Sequence, residues 1–140
     1  MLYDETDLIS SDIHEFSHNL HPSILEKLGL AAALRRYCLE FSAYRKISIN
    51  MTTNGEEVPI SPETALALFR VGQECFMNVA KHSGAVSCGV RLTYRDDCVT
   101  LDIEDQGIGF DAKRLKDASG LGIESMRERL RFVCGTLRID

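Results

Sequence analysis

The chain has no excess of positive charge: 16 lysines and arginines stand against 21 aspartates and glutamates, giving a formal net charge of −5. That balance excludes a general binder of nucleic acid or acidic membrane, because either needs a basic field, although a local basic patch is left open. No apolar run approaches the roughly 18 residues of a membrane span. The opening residues, MLYDETDLIS, are acidic where a signal peptide is basic. No C-x-x-C pair occurs, and the five cysteines, Cys38, Cys75, Cys88, Cys98 and Cys134, mostly interrupt apolar runs. They read as reduced core thiols of a cytoplasmic protein, with zinc or a disulfide framework as the alternative. A P-loop is missing, the dinucleotide pattern fails because Ala112 stands where a third glycine belongs, and a calcium loop opening at Asp102 would place Lys113 where a bidentate carboxylate is required. No internal repeat is present.

What remains is one domain's worth of chain, 140 residues of which 44% are hydrophobic. Leu8, Ile13, Phe16 and Leu20 predict a first helix over about 6–20, ending before Pro22. Leu30, Leu34, Tyr37, Cys38 and Phe41 predict a second, written in SILEKLGLAAALRRYCLEFSAYR, and KISINMTT alternates as a strand. A third helix opens with Ser61 as N-cap, Pro62 at its first position and Glu63 in its first turn. Its stripe of Ala65, Leu68, Phe69, Gly72, Cys75, Phe76 and Val79 faces a core, and at about 100° per residue Glu74, Asn78, Lys81 and His82 gather on another side.

VSCGVRLTYR and CVTLDIED form a hairpin joined at Asp96 and Asp97. Its alternation puts Asp105 on the apolar side with Val99, Leu101 and Ile103. Residues 110–119 are polar and without period, a loop between two glycine pairs. Ile123, Met126, Leu130 and Val133 then trace a helix that Gly135 terminates, and TLRID begins a further strand.

The chemistry concentrates in three places. An inward carboxylate at Asp105 needs hydrogen-bond donors, either a ligand amino group or the backbone of the following turn. Gly120 and Gly122 open a helix whose unpaired N–H groups and dipole suit an anion, though a flexible hinge explains the same glycines. On the third helix Asn78 offers an oxygen for Mg²⁺, Lys81 a charge for phosphate and Glu74 a carboxylate one turn earlier, a set that a solvated face also explains. His14, His18 and His21 share one helical side, but no further ligand completes a metal site, and exposed or packing histidines fit better.

In order along the chain, QECFMNVAKHS on a helix, EDQGIGFD after a strand and GLGIESMRERL opening another helix resemble the N box and two glycine boxes of the ATP-binding domain of sensor histidine kinases. That family shares a superfamily with gyrase-type ATPases and a class of heat-shock chaperones. The resemblance covers about residues 20–140, and NLHPSILEKLGLAAALR together with the short lid is similar to the nitrate and sugar-phosphate sensor branch. It implies an α/β fold: a two-layer α/β sandwich with helices on one face of a mixed sheet, preceded by a helical segment. Residues 1–22 would be the end of a dimerisation-type helix and linker, and 23–140 the ATP-binding domain, its last strands curtailed after Asp140.

The resemblance further implies ATP and Mg²⁺ as cofactors. Asp105 would accept a hydrogen bond from the adenine amino group, Gly107 and Gly109 would let the backbone pass close to the nucleotide, and 110–119 would be the lid. Asn78 would hold Mg²⁺, Lys81 and His82 would contact phosphate, and Gly120, Leu121 and Gly122 would bring the lid hinge and its N–H groups to the phosphate chain. Glu74, with Asn78, would serve catalysis by orienting or activating the acceptor. The implied partners are a dimerisation domain carrying the phosphoacceptor histidine and a response regulator, within a homodimeric cytoplasmic or membrane-anchored parent, with no nucleic acid and no membrane contact by this segment. The family's phosphoacceptor motif is missing, so His14, His18 and His21 do not inherit that role. The expectation is a fragment that binds ATP without completing autophosphorylation alone. A non-catalytic ATP-gated interaction module and a stand-alone ATPase or anti-sigma-type serine kinase are the competing readings.

Overall fold

Two helices, not one, carry the segment after Pro22. The computed structural model describes residues 22–105 and 120–140, so the helix expected over 6–20 and the loop expected over 110–119 lie outside the described residues. Helix α1 (Pro22–Leu28) and helix α2 (Leu30–Arg45) divide at Gly29, whose φ of 87° is a conformation other residues adopt only with strain. The hydrogen-bond chain survives the break: the Gly29 N–H donates to the Leu25 carbonyl at 2.9 Å, and the Gly29 carbonyl accepts from Ala33 at 3.0 Å. Periodicity is blind to such a change of direction because the apolar spacing resumes at Leu30.

Strand β1 (Ser48–Asn54) runs parallel to β2 (Ser87–Tyr94), which pairs antiparallel with β3 (Val99–Asp105), giving a mixed sheet in the order β1-β2-β3. A parallel pair needs a crossover, and helix α3 (Pro62–Asn78) supplies it. Ser61 caps α3 as its sequence predicts, its hydroxyl oxygen accepting from the Thr64 N–H at 3.1 Å. Asp96 and Asp97 lie in the tight β2–β3 link, which is closed by the Arg95 N–H on the Cys98 carbonyl at 2.9 Å.

The helices pack on one face of the sheet. Cys88, Val90, Leu92 and Tyr94 of β2 are buried while the residues between them are not, the period-two alternation of a half-covered strand. A Cβ added at Gly72 would lie 3.3 Å from Leu34 of α2 and 3.6 Å from Leu101 of β3, so α3 reaches both layers through a residue with no side chain. Between α2 and α3, Tyr37 stacks on Phe41 and Phe76 with centroids 5.9 and 5.7 Å away and meets Phe69 edge-on at 5.7 Å. These separations fall in the favourable aromatic range.

Helix α4 (Gly120–Arg131) ends as the sequence predicts, near Gly135, but by a different residue. Cys134 takes the left-handed conformation at φ 58°, the Gly135 N–H reaches the Leu130 carbonyl at 2.7 Å and the Cys134 N–H the Arg131 carbonyl at 3.1 Å. This is the paired-bond stop of a Schellman motif with cysteine in the position glycine usually fills. The strand expected in TLRID does not form: residues 136–140 pair with no other strand among the described residues. Alternation marks only a capacity for pairing; a ladder needs a partner.

Candidate functional site

Helix α3 packs against both β3 and α4, reaching α4 at its first turn. Glu74 lies against the start of α4: a Cβ added at Gly122 would stand 2.6 Å from its Oε1, so the missing side chain is what lets the carboxylate approach. A negative group there suits the positive end of the helix dipole and the unpaired N–H groups of the first turn. One turn deeper, the Cys75 thiol faces the Met126 sulfur at 3.7 Å and holds α3 to α4. The half-buried Asn78 closes the α-helical part of α3.

Beyond Asn78 the helix widens. The Val79 N–H is shared between the Cys75 and Phe76 carbonyls, and Val79–Ser83 is a π-helical turn that Gly84 ends at φ 65°. The 100° step that grouped Lys81 and His82 with Glu74 and Asn78 therefore stops applying past Asn78, a correction to the helical-wheel reading. Lys81 is exposed. The side chains of His82 and Leu121 and the whole of Gly107 and Gly109 lie outside the described residues. Gly120 and Gly122 belong to the first turn of α4 rather than preceding it.

Asp105, the last residue of β3, sits directly across from Cys88 of β2. Opposed residues of an antiparallel pair project to the same face, so the carboxylate is on the core side, as alternation predicts, and it is half-buried. The Cys88 thiol registers it: burial first, then the Asp105 charge, push its pKa up to about 11. Cys75 is pushed up to about 12 by burial, then by Glu74 and Cys88, and Cys38 to about 12 by burial and then Cys88, with Arg35 acting the other way. Cys38 and Cys88 are buried and Cys75 is half-buried, and all three are neutral packing thiols. Among the described residues no cluster of three or more His, Cys, Asp or Glu side chains could hold a metal.

Gln73, beside Glu74, escaped the sequence reading. It is 7% exposed; its Oε1 accepts from Arg70 Nη1 at 2.9 Å, and its Nε2 has no partner among the described residues. The available signal was its setting, with Phe69 four residues before it and Met77 four after, since an amide flanked by apolar residues at helical spacing sits on a buried face.

Comparison with known proteins agrees with this geometry. Residues 63–140 match the family described as histidine kinase-, DNA gyrase B- and HSP90-like ATPase. The chain is 35% identical over 131 residues to the sensor histidine kinase MctS of Rhizobium johnstonii, covering 92% of this chain and 28% of that protein. It is 33% identical over 129 residues to the oxygen sensor histidine kinase NreB of Staphylococcus carnosus, covering 92% and 37%. With DegS of Bacillus subtilis, a signal transduction histidine-protein kinase/phosphatase, it shares 36% identity over 124 residues, covering 85% and 32%. The chain thus spans about a third of the length of these relatives. Among solved structures, the histidine kinase domain of the Erythrobacter litoralis EL346 blue-light activated histidine kinase has the same fold, with a TM-score of 0.63 at 20% identity over 79% of this chain and 54% of that one. With the motif order, the α/β layers and the packing of α3 on both β3 and α4 in place, the chain belongs to the histidine kinase-, DNA gyrase B- and HSP90-like ATPase family.

Proposed function

We propose that this chain is the ATP-binding catalytic domain of a two-component sensor histidine kinase, passing the γ-phosphoryl group of ATP to a histidine on a separate dimerisation domain, from which a response regulator takes it. The observation that carries the reading is Glu74 of α3 set against Gly122 in the first turn of α4, while Cys75 beside it feels the charge of Cys88, the residue across from Asp105. Asp105 accepts the adenine amino group. Gly107 and Gly109 admit the nucleotide to the backbone, and Gly120, Leu121 and Gly122 present N–H groups to the phosphates. Lys81 and His82, on the turn that follows Asn78, contact phosphate.

Mg²⁺ fits this residue set through Asn78 and the nucleotide rather than through a protein cage, because the described residues offer no cluster of metal-ligating side chains and Mg²⁺ commonly takes one or two protein ligands plus substrate phosphates. Bound there it would supply charge neutralisation along the phosphates. In the transfer, the bond from the γ-phosphorus to the β-γ bridging oxygen breaks, ADP leaves with the electron pair, and a bond to the acceptor imidazole nitrogen forms. Glu74 orients that imidazole and receives its proton. Catalysis is otherwise positioning and charge stabilisation. The site works in the cytoplasm, in a homodimeric parent.

Calorimetry with a non-hydrolysable ATP analogue, with and without Mg²⁺, followed by transfer to a supplied histidine-bearing helix pair, tests the reading. Mg²⁺-dependent binding and phosphohistidine are expected. Binding without transfer to a verified partner would instead favour an ATP-gated interaction module, and turnover or phosphoserine without that partner would favour an independent ATPase or serine kinase.

A further inference from the structure

At the other end of α3 lies a groove of about 520 Å³ that the nucleotide chemistry does not use. Leu25 and Leu30 from the α1–α2 corner, Ala65 and Leu66 from the first turns of α3, Ile60 from the connection before it and Tyr94 from the end of β2 form its apolar walls. Its volume is within the range of ligand and anchor-residue pockets. Among the described residues, the charged side chains lining it are three glutamates from three different elements: Glu26 of α1, Glu57 of the β1–α3 connection and Glu63 of α3. All three are exposed.

Glu57 is partly committed. Its Oε1 would stand 3.4 Å from a Cβ at Gly29, at the start of α2, where a carboxylate complements the helix dipole. Its charge is also felt by the Tyr94 phenol, as is that of Arg35, a base that does not line the groove. Glu26 and Glu63 therefore leave most of the negative field at the rim.

The geometry points to a second binding site here, taking a short segment of a partner protein in which a large apolar side chain is flanked by lysine or arginine. The apolar side chain fills the groove, and the bases meet Glu26, Glu57 and Glu63. The chain's own first segment does not match the groove in charge, since residues 1–21 carry Asp4, Glu5, Asp7, Asp12 and Glu15 and no lysine or arginine. Position separates the groove from the nucleotide end: Tyr94 is six residues along β2 from Cys88, the partner of Asp105, about 20 Å at roughly 3.3 Å per residue. The two sites can be filled together.

The test uses the whole 140-residue chain, labelled with ¹⁵N and titrated with the peptide Ac-Arg-Leu-Phe-Lys-NH₂. Saturable shifts are expected at the amides of Leu25, Leu30, Ala65 and Tyr94, unchanged by a saturating ATP analogue. Replacing the glutamates together (E26Q, E57Q and E63Q) should weaken binding about fivefold or more, as three exposed charge pairs acting together allow, while the exposed positions leave the fold and the rest of the spectrum intact. The acidic peptide Ac-Glu-Leu-Phe-Glu-NH₂ should leave these amides still. Equal response to both peptides, no saturable shift at the groove, or shifts centred on Asp105 would overturn the proposal. So would concentration-dependent broadening of the same amides without peptide, which would give the groove to a second copy of the chain.

Discussion

Asp105 and Asn78 divide the proposed recognition of nucleotide between base and phosphate, and each makes a separable prediction. Asp105→Asn keeps the side-chain volume on a half-buried position but loses the charge that accepts from the adenine amino group. Calorimetry should record a fall in ATP affinity of about tenfold or more, the scale of one charge-assisted hydrogen bond, with stability moving by less than about 1 kcal/mol. The same variant should lower the Cys88 pKa, since Asp105 is its charged perturber. Asn78→Ala should chiefly flatten the dependence of binding on Mg²⁺; an unaltered dependence would remove Asn78 as the ligand. The thiols give a pH prediction of fixed sign. Cys38, Cys75 and Cys88 have folded values of about 12, 12 and 11 against an ordinary 9, so the unfolded chain releases their protons first. Their contribution is whole below about pH 9 and is lost as pH rises towards 12, and urea midpoints measured across that window should fall. Native alkylation at pH 8 should modify the exposed Cys98 and Cys134 and spare the other three.

The first turn of α4 shows how an element can be legible in sequence while its contact is not. G-L-G before an apolar period announces a helix start, yet the reason for Gly122 is a tertiary neighbour, the Glu74 carboxylate. Gly29 and the π-helical turn after Asn78 escaped for a related reason: periodicity reports which face is buried, and both features change the path or pitch of the backbone while leaving that face apolar. Cys134 was hidden because a left-handed stop at a non-glycine is held by its hydrogen bonds rather than by its side chain. By contrast the Ser61 cap, the alternation of β2 and the inward aim of Asp105 are local consequences of residue type and spacing. Gly122→Ala exploits the contact. The new methyl would overlap the end of a flexible side chain, so Glu74 swings aside and the fold remains; alanine also favours helix over glycine by about 1 kcal/mol. Thermal midpoint should hold or rise slightly, and transfer is read at saturating ATP because Gly122 also presents an N–H to the phosphates. Phosphotransfer to the histidine-bearing helix pair should drop about tenfold or more, the scale of losing a positioned proton acceptor, and transfer at the parental rate would take Glu74 out of the catalytic role.

At the scale of the molecule, α3 is the part that everything shares: it crosses over between β1 and β2, carries Glu74 and Asn78 at one end and borders the acidic groove at the other. Its attachment to α2 runs through the ring cluster, in which Phe76, 1% exposed, stacks on Tyr37 and lies 5.6 Å from Phe41. Removing that ring creates a cavity that close-packed neighbours, Tyr37 and Phe41 of α2 among them, can fill only in part, so Phe76→Ala should cost about 3–5 kcal/mol. A domain of this size commonly has only about 5–15 kcal/mol in total, and a urea titration should show the midpoint fall by a large fraction. Phe76→Leu keeps most of the apolar volume and should lose much less. Because Phe76 faces the core two residues before Asn78 and touches no nucleotide in the proposed site, the folded fraction of either variant should bind the ATP analogue with near-parental affinity once the unfolded population is subtracted. An affinity loss in fully folded Phe76→Leu would mean instead that the ring sets the placement of Asn78, making the aromatic core part of the site rather than only its support.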